Sequence, residues 1–379
     1  MSRPDQPPNS VKCEIPLQRP DLTRKDLEAV ARAVRSRRWT DAAAVEMLEA
    51  AWAAAWDGES GDDGESGVSG SMRCVAFATP QALVQALKES LGWQDGAYVV
   101  SGPLLHPAWR EAFSAAWIRL AYRDLQPESG IQQGEIVAQE GGECGGVVAG
   151  MRSYPFGQVA ETVAPTSPLR RDDAFTVLDD LSGVVTLDEE GVLPATPSGA
   201  HHLRLMLMTG DSPVPVGNLC LVAGRDSIVM ERLQRARRQL PSVASTALAI
   251  SLIRNWPERA ARRRALASRY TGLIRTRGLI TLPAAVEQRR WPLYPILAAD
   301  EKMCDALRAF LLRGGVASGA VSGFRMPDVC RDAMLMNHMP GVRHLASHGL
   351  LIPLYASLTE SRQKRIINRL NRWLQRASS

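Results

Sequence analysis

CVAFATPQALVQALKESLGWQDGAYVVSGPLLHPAWREAFSAAWIRLA, residues 74–121, alternates between two periodicities. Short apolar runs at Cys74–Phe77, Ala97–Val100 and Ile118–Ala121 have the length and composition of buried strands. Between them, Gln81–Leu91 and Ala108–Trp117 carry apolar residues at helical spacing. Strands that alternate with helices imply crossover units, and hence a mainly parallel sheet with helices on both faces. In such sheets chemistry collects where strands end and loops begin. Further apolar runs at Val147–Ala149, Phe175–Leu178, Leu203–Met208 and Asn218–Val222 extend the expected sheet.

Upstream, Thr23 with Asp26 three residues on is a capping pattern, and Leu27, Val30 and Val34 follow at helical spacing. A second helix is predicted over Ala42–Trp56, with Val45, Leu48, Ala51 and Trp52 on one side. Asp57–Ser71 is Gly, Ser, Asp and Glu with almost no apolar residue. It cannot bury enough surface to offset its ordering entropy, and it reads as a flexible inserted loop. Downstream of Ser227 the pattern turns helical, with a long amphipathic segment at Arg259–Arg275, a strand at Leu293–Leu297 and a helix at Cys304–Leu312 that Gly314 and Gly315 end. The last helix is capped by Thr359 and sets Ile366, Leu370 and Trp373 on one face. The expected organisation is an N-terminal helical segment of the large domain (1–56), a flexible acidic Gly/Ser loop (57–71), the large α/β domain (72–258), and an interdomain helix with a small C-terminal α+β domain (259–379).

With 379 residues, 45% of them hydrophobic and 22% charged, the chain can bury a sizeable core. No apolar run approaches the roughly 20 residues that span a bilayer, and Met1–Ser10 lacks a secretory pattern. The expectation is a cytoplasmic protein without a membrane partner. Its six cysteines lie far apart without a Cys-x-x-Cys pair, which favours reduced thiols. His344 and His348 are spaced i, i+4 but have no third ligand nearby in sequence, so surface or core histidines are expected rather than a metal site. Arginine dominates the basic residues, and the lysines are Lys12, Lys25, Lys88, Lys302 and Lys364. The densest arginine run, Arg259–Arg264, sits on a predicted helix with no interleaved aromatics, which argues for a solvated face and against a nucleic-acid groove.

The order of elements resembles that of the DegT-type nucleotide-sugar aminotransferases, fold-type I enzymes that use pyridoxal phosphate (PLP). Ile15-Pro-Leu-Gln-Arg-Pro-Asp-Leu-Thr23 is similar to that family's opening segment, and Ser36–Glu46 to its turn into a Val-Glu helix. Arg262–Tyr270 is similar to its long interdomain helix, which makes the arginine run architecture. Leu293-Tyr-Pro-Ile296 and Leu351–Thr359 resemble its small domain. The resemblance covers nearly the whole chain apart from Asp57–Ser71. It is strong at the two ends and weak in the middle, where the chemistry belongs.

What it implies for the site can be stated residue by residue. PLP works as an electron sink when a lysine forms a Schiff base with it, an acid pairs with its pyridinium nitrogen, and helix-start N–H groups receive its phosphate. Thr176-Val-Leu-Asp-Asp-Leu-Ser182 resembles the family's strand ending in Glu-Asp, which puts Asp180 at the pyridine-pairing position, with Ser182 beside it. Read without the resemblance, Asp179 and Asp180 simply end a strand. Where the family has a Gln, this chain has Gly183. Ala76–Leu83 occupies the place of the family's Ser-Gly-Thr phosphate turn, with Thr79 for the Gly, Pro80 for the Thr and Gln81 next to them, and proline has no N–H to donate. Leu105, next to His106, stands where an aromatic ring would stack on the cofactor. The family's lysine position falls near Gly210 or Asp211, and the sequence has no lysine between Lys88 and Lys302.

Three readings follow. The first is a catalytically degenerate fold without cofactor, kept as a binding or assembly partner in sugar or polysaccharide biosynthesis, as a homodimer or as a heterodimer with an active relative. The second is an enzyme holding PLP without a covalent link, as in the family's sugar 3-dehydratases, where a histidine replaces the lysine. His201 and His202 are the candidates, although both precede the expected position. The third is a site turned to nucleotide-sugar binding without PLP.

Overall fold

Alternating capping residues and apolar stretches lay the chain out as a regular series of helices and strands. The computed structural model describes residues 14–57, 71–127, 146–157, 175–183, 201–208, 216–283, 289, 291–321 and 338–378. Its helices are α1 (Arg24–Arg35), α2 (Ala42–Asp57), α3 (Pro80–Leu91), α4 (Pro107–Ala115), α5 (Ser227–Ala236), α6 (Val243–Arg254), α7 (Trp256–Leu273), α8 (Glu301–Arg313), α9 (Pro340–His348) and α10 (Glu360–Ala377). Strands β1 (Arg73–Phe77), β2 (Tyr98–Ser101), β3 (Arg119–Tyr122), β4 (Val147–Ser153), β5 (Thr176–Asp180), β6 (His201–Met208) and β7 (Leu219–Gly224) form one sheet. The strands β8 (Ile280–Thr281), β9 (Tyr294–Ala298), β10 (Gly319–Ala320) and β11 (Gly349–Ile352) form another. The loop expected over Asp57–Ser71 falls almost wholly outside the described residues.

The large sheet has the order β1-β7-β6-β5-β4-β2-β3. Neighbours from β6 through β3 pair in parallel, and β7 is antiparallel to both β1 and β6, so β7 alone runs against the rest. The expected mainly parallel sheet is therefore present. One face packs Phe77, Leu205, Leu207 and Val222 against Leu83, Leu87, Trp109 and Met230 of α3, α4 and α5. The other packs Ala76, Met206, Met208 and Leu221 against Trp52, Trp56, Ala249 and Leu252 of α2 and α6. Cover on both faces is why β7 reads as a continuous apolar run.

The four-stranded sheet is antiparallel, in the order β10-β11-β9-β8, and closes a second core with α7, α8 and α10 through Leu266, Tyr294, Leu307, Leu350, Ile366 and Leu370. Residues at the N-terminal end belong to this core too. Ile15 is buried in it and bridges to Val316. Asp21 accepts from Arg263 at 3.0 and 2.6 Å and from the backbone N–H groups of Ala356 and Ser357 at 3.0 and 3.2 Å. Ile15 and Asp21 thus tie the start of the described residues to this second core. Arg259 pairs with Asp26, so the two buried arginines of the run are ties between segments.

Helix α1 departs from its apolar pattern. Its capping box is in place, but Leu27 and Val34 are each 58% exposed, while Asp26 is buried. The carboxylate of Asp26 must reach Arg259 and Ser251, and that requirement turns the apolar stripe outward. A third apolar cluster joins the two sheets: Leu104, Leu125 and Phe156, beyond the ends of β2, β3 and β4, meet Leu297, Val342 and Leu351. Asp124 accepts the N–H groups of Gly341 and Val342 at 2.9 and 2.8 Å, capping α9. Gly341 is required there, because a Cβ would stand 1.8 Å from the Leu125 carbonyl oxygen. No helix among the described residues is long and apolar enough to cross a membrane.

Candidate functional site

The C-terminal ends of the parallel strands bring some of the sequence candidates to one edge of the large sheet. Phe77, Cys220 and Leu207 lie at one level across β1, β7 and β6, and Asp180 pairs in register with Leu205, one pleat below. Asp180 is 2% exposed. Its Oδ1 accepts the Ser182 N–H at 3.1 Å and the Ser182 hydroxyl, and the Ser182 Oγ accepts the Leu207 N–H at 2.7 Å. Its Oδ2 has no donor among the described residues. Beyond β1, Thr79 is the N-cap of α3, with its hydroxyl accepting the Ala82 N–H at 3.1 Å and Pro80 at the first helical position. Gln81 is exposed at the second. Leu105 is fully buried in the core beneath α3 and α4. His106 caps α4, its Nδ1 accepting the Ala108 N–H at 3.1 Å.

His201 and His202 are not part of this edge. They begin β6, and His202 precedes Leu207 by five residues, about 17 Å along a strand. His201 pairs with Asp226 at 2.9 Å. His202 lies on the opposite face of the sheet from Asp180, in a buried cluster that sequence reasoning did not assemble. There the Asp179 carboxylate, 1% exposed, receives Arg152 Nε and Nη2 at 2.6 and 2.7 Å, Tyr154 Oη at 3.0 Å and His202 Nε2 at 2.5 Å. Burial pushes the Asp179 carboxyl up, but the Arg152 charge and the His202 contact outweigh it and hold it well below the usual range. Burial likewise drives the Tyr154 hydroxyl far up, so it stays a donor. The sequence signal was available only as period-two alternation on β4, β5 and β6, and it becomes a cluster only once those strands are known to be neighbours.

Gly210 and Asp211 lie outside the described residues. Lys88, on α3, donates to the Ala116 carbonyl at 2.7 Å and pairs with Asp95. It sits nine residues beyond Thr79, about 13 Å toward the far end of the helix. Lys302 is exposed on α8. His344 and His348 stack at 4.2 Å on α9, and no group of three or more metal-ligating side chains occurs among the described residues. Cys74, Cys220 and Cys304 are buried free thiols.

The residues at the strand ends fit PLP only in part. Asp180 offers a buried carboxylate at a strand end, the type of group that pairs with a pyridinium N–H. The phosphate turn does not fit, because Pro80 has no N–H and Thr79 is turned inward as a cap. Leu105 is committed to the core, and no lysine reaches the edge from the described residues. Among the described residues, those at this edge do not fit a covalently held PLP.

The fold is that of the sugar aminotransferases. Among solved structures, the aminotransferase TlmJ from Streptoalloteichus hindustanus superposes with a TM-score of 0.76 at 18% identity, covering 96% of this chain and all of that one. NtdA from Bacillus subtilis, solved with bound cofactor PMP, gives 0.75 at 14% identity over 96% of this chain and 86% of that one. A DegT DnrJ EryC1 StrS aminotransferase from Brucella abortus gives 0.69 at 14% identity over 92% and 95%. In sequence, an 8-amino-7-oxononanoate synthase from Chromohalobacter salexigens is 30% identical over 186 residues. That match spans under half of each protein, 45% of this chain and 45% of the synthase. No protein-family model matches the chain.

Proposed function

We propose that this chain is a catalytically degenerate sugar-aminotransferase fold, kept as a non-catalytic binding or assembly partner in sugar, polysaccharide or related biosynthesis. One observation carries the reading: no lysine exists between Lys88 and Lys302, and both of those are held away from the strand ends. A transaminase needs an amine at that edge to anchor its cofactor and move the proton. A partner role is further supported by the exposed apolar residues Leu27, Val34, Trp39 and Met47 on α1, α2 and the turn between them. They offer a surface for a second copy or for an active relative.

The buried Asp180 carboxylate at the strand end favours one other reading, an enzyme that holds PLP without a covalent link and acts on a nucleotide sugar. One experiment separates the two. The purified protein is titrated with PLP, absorbance is followed, and borohydride reduction with peptide mass spectrometry searches for a trapped adduct. The proposal expects neither saturable binding nor a specific adduct. Saturable binding without an adduct would move the assignment to the lysine-free enzyme. A stoichiometric adduct on one lysine would overturn both.

A further inference from the structure

Helix α10 carries arginine at Arg362, Arg365, Arg369, Arg372 and Arg376, alternately three and four residues apart. That spacing sets all five on one face, in a row about 21 Å long at roughly 1.5 Å per residue. Ile366, Ile367, Leu370 and Leu374 bury the other side of the helix in the second core. Arg313, at the end of α8, adjoins the row, and it is exposed together with Arg365, Arg372 and Arg376.

The middle of the row is held in place. Arg369 is half-buried, with its guanidinium carbon 4.7 Å from the centre of the Phe310 ring and its Nη2 donating to the Phe310 carbonyl at 3.2 Å. Gly314 makes the room, since a Cβ there would stand 1.7 Å from Arg369 Nε. Arg365 donates to the Gly314 carbonyl at 2.9 Å and pairs with Glu14. The partial negative charge at the end of α8 accounts for these contacts to carbonyl groups. It does not account for the surroundings of Arg369. Burial, and then the charges of Arg365, Arg372 and Arg313, push that guanidinium below its usual value, and its Nε is buried without a hydrogen-bond partner. Like charges side by side are destabilising, and an anion laid along the row would relieve them.

The flanks select among polyanions. Apart from Leu312 beside Arg313, no large apolar side chain of α8 or α10 is exposed. The centres of protein–protein interfaces are depleted in charge and carry apolar or aromatic anchors, whereas nucleic-acid interfaces are polar and strongly positive. A lipid surface would take the apolar face of an amphipathic helix, and that face of α10 is already in the core. The row has no exposed aromatic ring on which unpaired bases could stack.

We propose that the arginine row of α10 binds the phosphate backbone of a double-stranded nucleic acid, without reading its sequence. The row is separate from Arg259–Arg264, whose buried members tie segments of the chain together. The inference does not depend on whether the strand-end site takes PLP.

The test follows the fluorescence anisotropy of a labelled duplex of about 20 base pairs, as DNA and as RNA, on the full chain between about 50 and 200 mM salt. Saturable binding is expected, and the tighter duplex names the source. Four phosphate contacts, each contributing about 0.9 to the salt slope, give a loss of affinity of roughly 150-fold over that range. Arg372→Gln with Arg376→Gln should lower the slope by about 1.8 and keep the wild-type melting temperature, both positions being exposed. Lys25→Gln with Arg35→Gln, the same charge change at exposed positions of α1, should bind as wild type does. Absence of saturable binding, a salt slope that the α10 pair leaves unchanged, or an equal loss in the α1 pair would overturn the proposal. Tighter binding to phosphatidylserine vesicles or to polyglutamate than to either duplex would overturn it too.

Discussion

Replacing Asp179 by Asn tests the buried cluster on the covered face of the large sheet. The carboxylate receives four hydrogen bonds, two from Arg152 and one each from Tyr154 and His202. Asparagine keeps one acceptor oxygen and turns an NH2 toward groups that are themselves donors. Summing charged hydrogen bonds at about 1.5–3 kcal/mol each would exceed the stability of most domains, and such bonds are not additive. The better guide is the cost of leaving one member of a buried ion pair alone, about 3–5 kcal/mol. Arg152 keeps only 15% of its side-chain exposure and cannot swing into water. Equilibrium urea unfolding of D179N should show that loss, and thermal unfolding a fall in Tm of roughly 4–6 °C for a chain of 379 residues. Adding Arg152→Met should cost less than the sum of the two single changes by about 1 kcal/mol or more. The pH dependence has a defined sign. The folded-state pKa of Asp179 is depressed, so its contribution is complete above the unfolded value of about 3.9 and is lost as pH falls toward the folded one. The gap between wild type and D179N should therefore close below about pH 4. A D179N protein within about 0.5 kcal/mol of wild type, or an additive cycle, would refute the reasoning.

Thr79→Ala should cost about 0.5–2 kcal/mol through loss of the α3 cap, read by chemical denaturation. If Thr79 also served a phosphate, the same change would abolish PLP binding, which the proposed function does not expect to find. Gly341→Ala should destabilise by about 1–3 kcal/mol, because its Cβ meets the Leu125 carbonyl and pushes α9 off Asp124. A wild-type melting curve for that variant would show that the packing there is loose.

The sheet was legible because β1, α3, β2, α4 and β3 follow one another with local signals that agree: apolar runs, the Thr79–Pro80 helix start, and Gly92 at φ +69° closing α3. The position of Asp180 at a strand end was legible for the same reason. The surroundings of Asp179 were not, since Arg152, Tyr154 and His202 arrive from β4 and β6 and only strand order unites them. His201 and His202 were proposed from nearness in sequence to β6, yet in an extended strand five residues span the depth of the sheet. Leu27 and Val34 misled in another way. Helical periodicity identifies a stripe but not its direction, and here one buried carboxylate, Asp26, decides the rotation.

The ties made by Asp21 have a consequence for synthesis. Its partners Ala356 and Ser357 lie 335 and 336 residues downstream. At the roughly 5–20 residues per second of translation, the ribosome needs about 20–70 s to deliver them after Asp21 has been made. Until then Ile15 lacks the four-stranded sheet that buries it, and Asp21 lacks two of its donors. The beginning of the chain is therefore among the last parts to settle, and a nascent chain stalled before Ala356 would present this segment to chaperones and proteases.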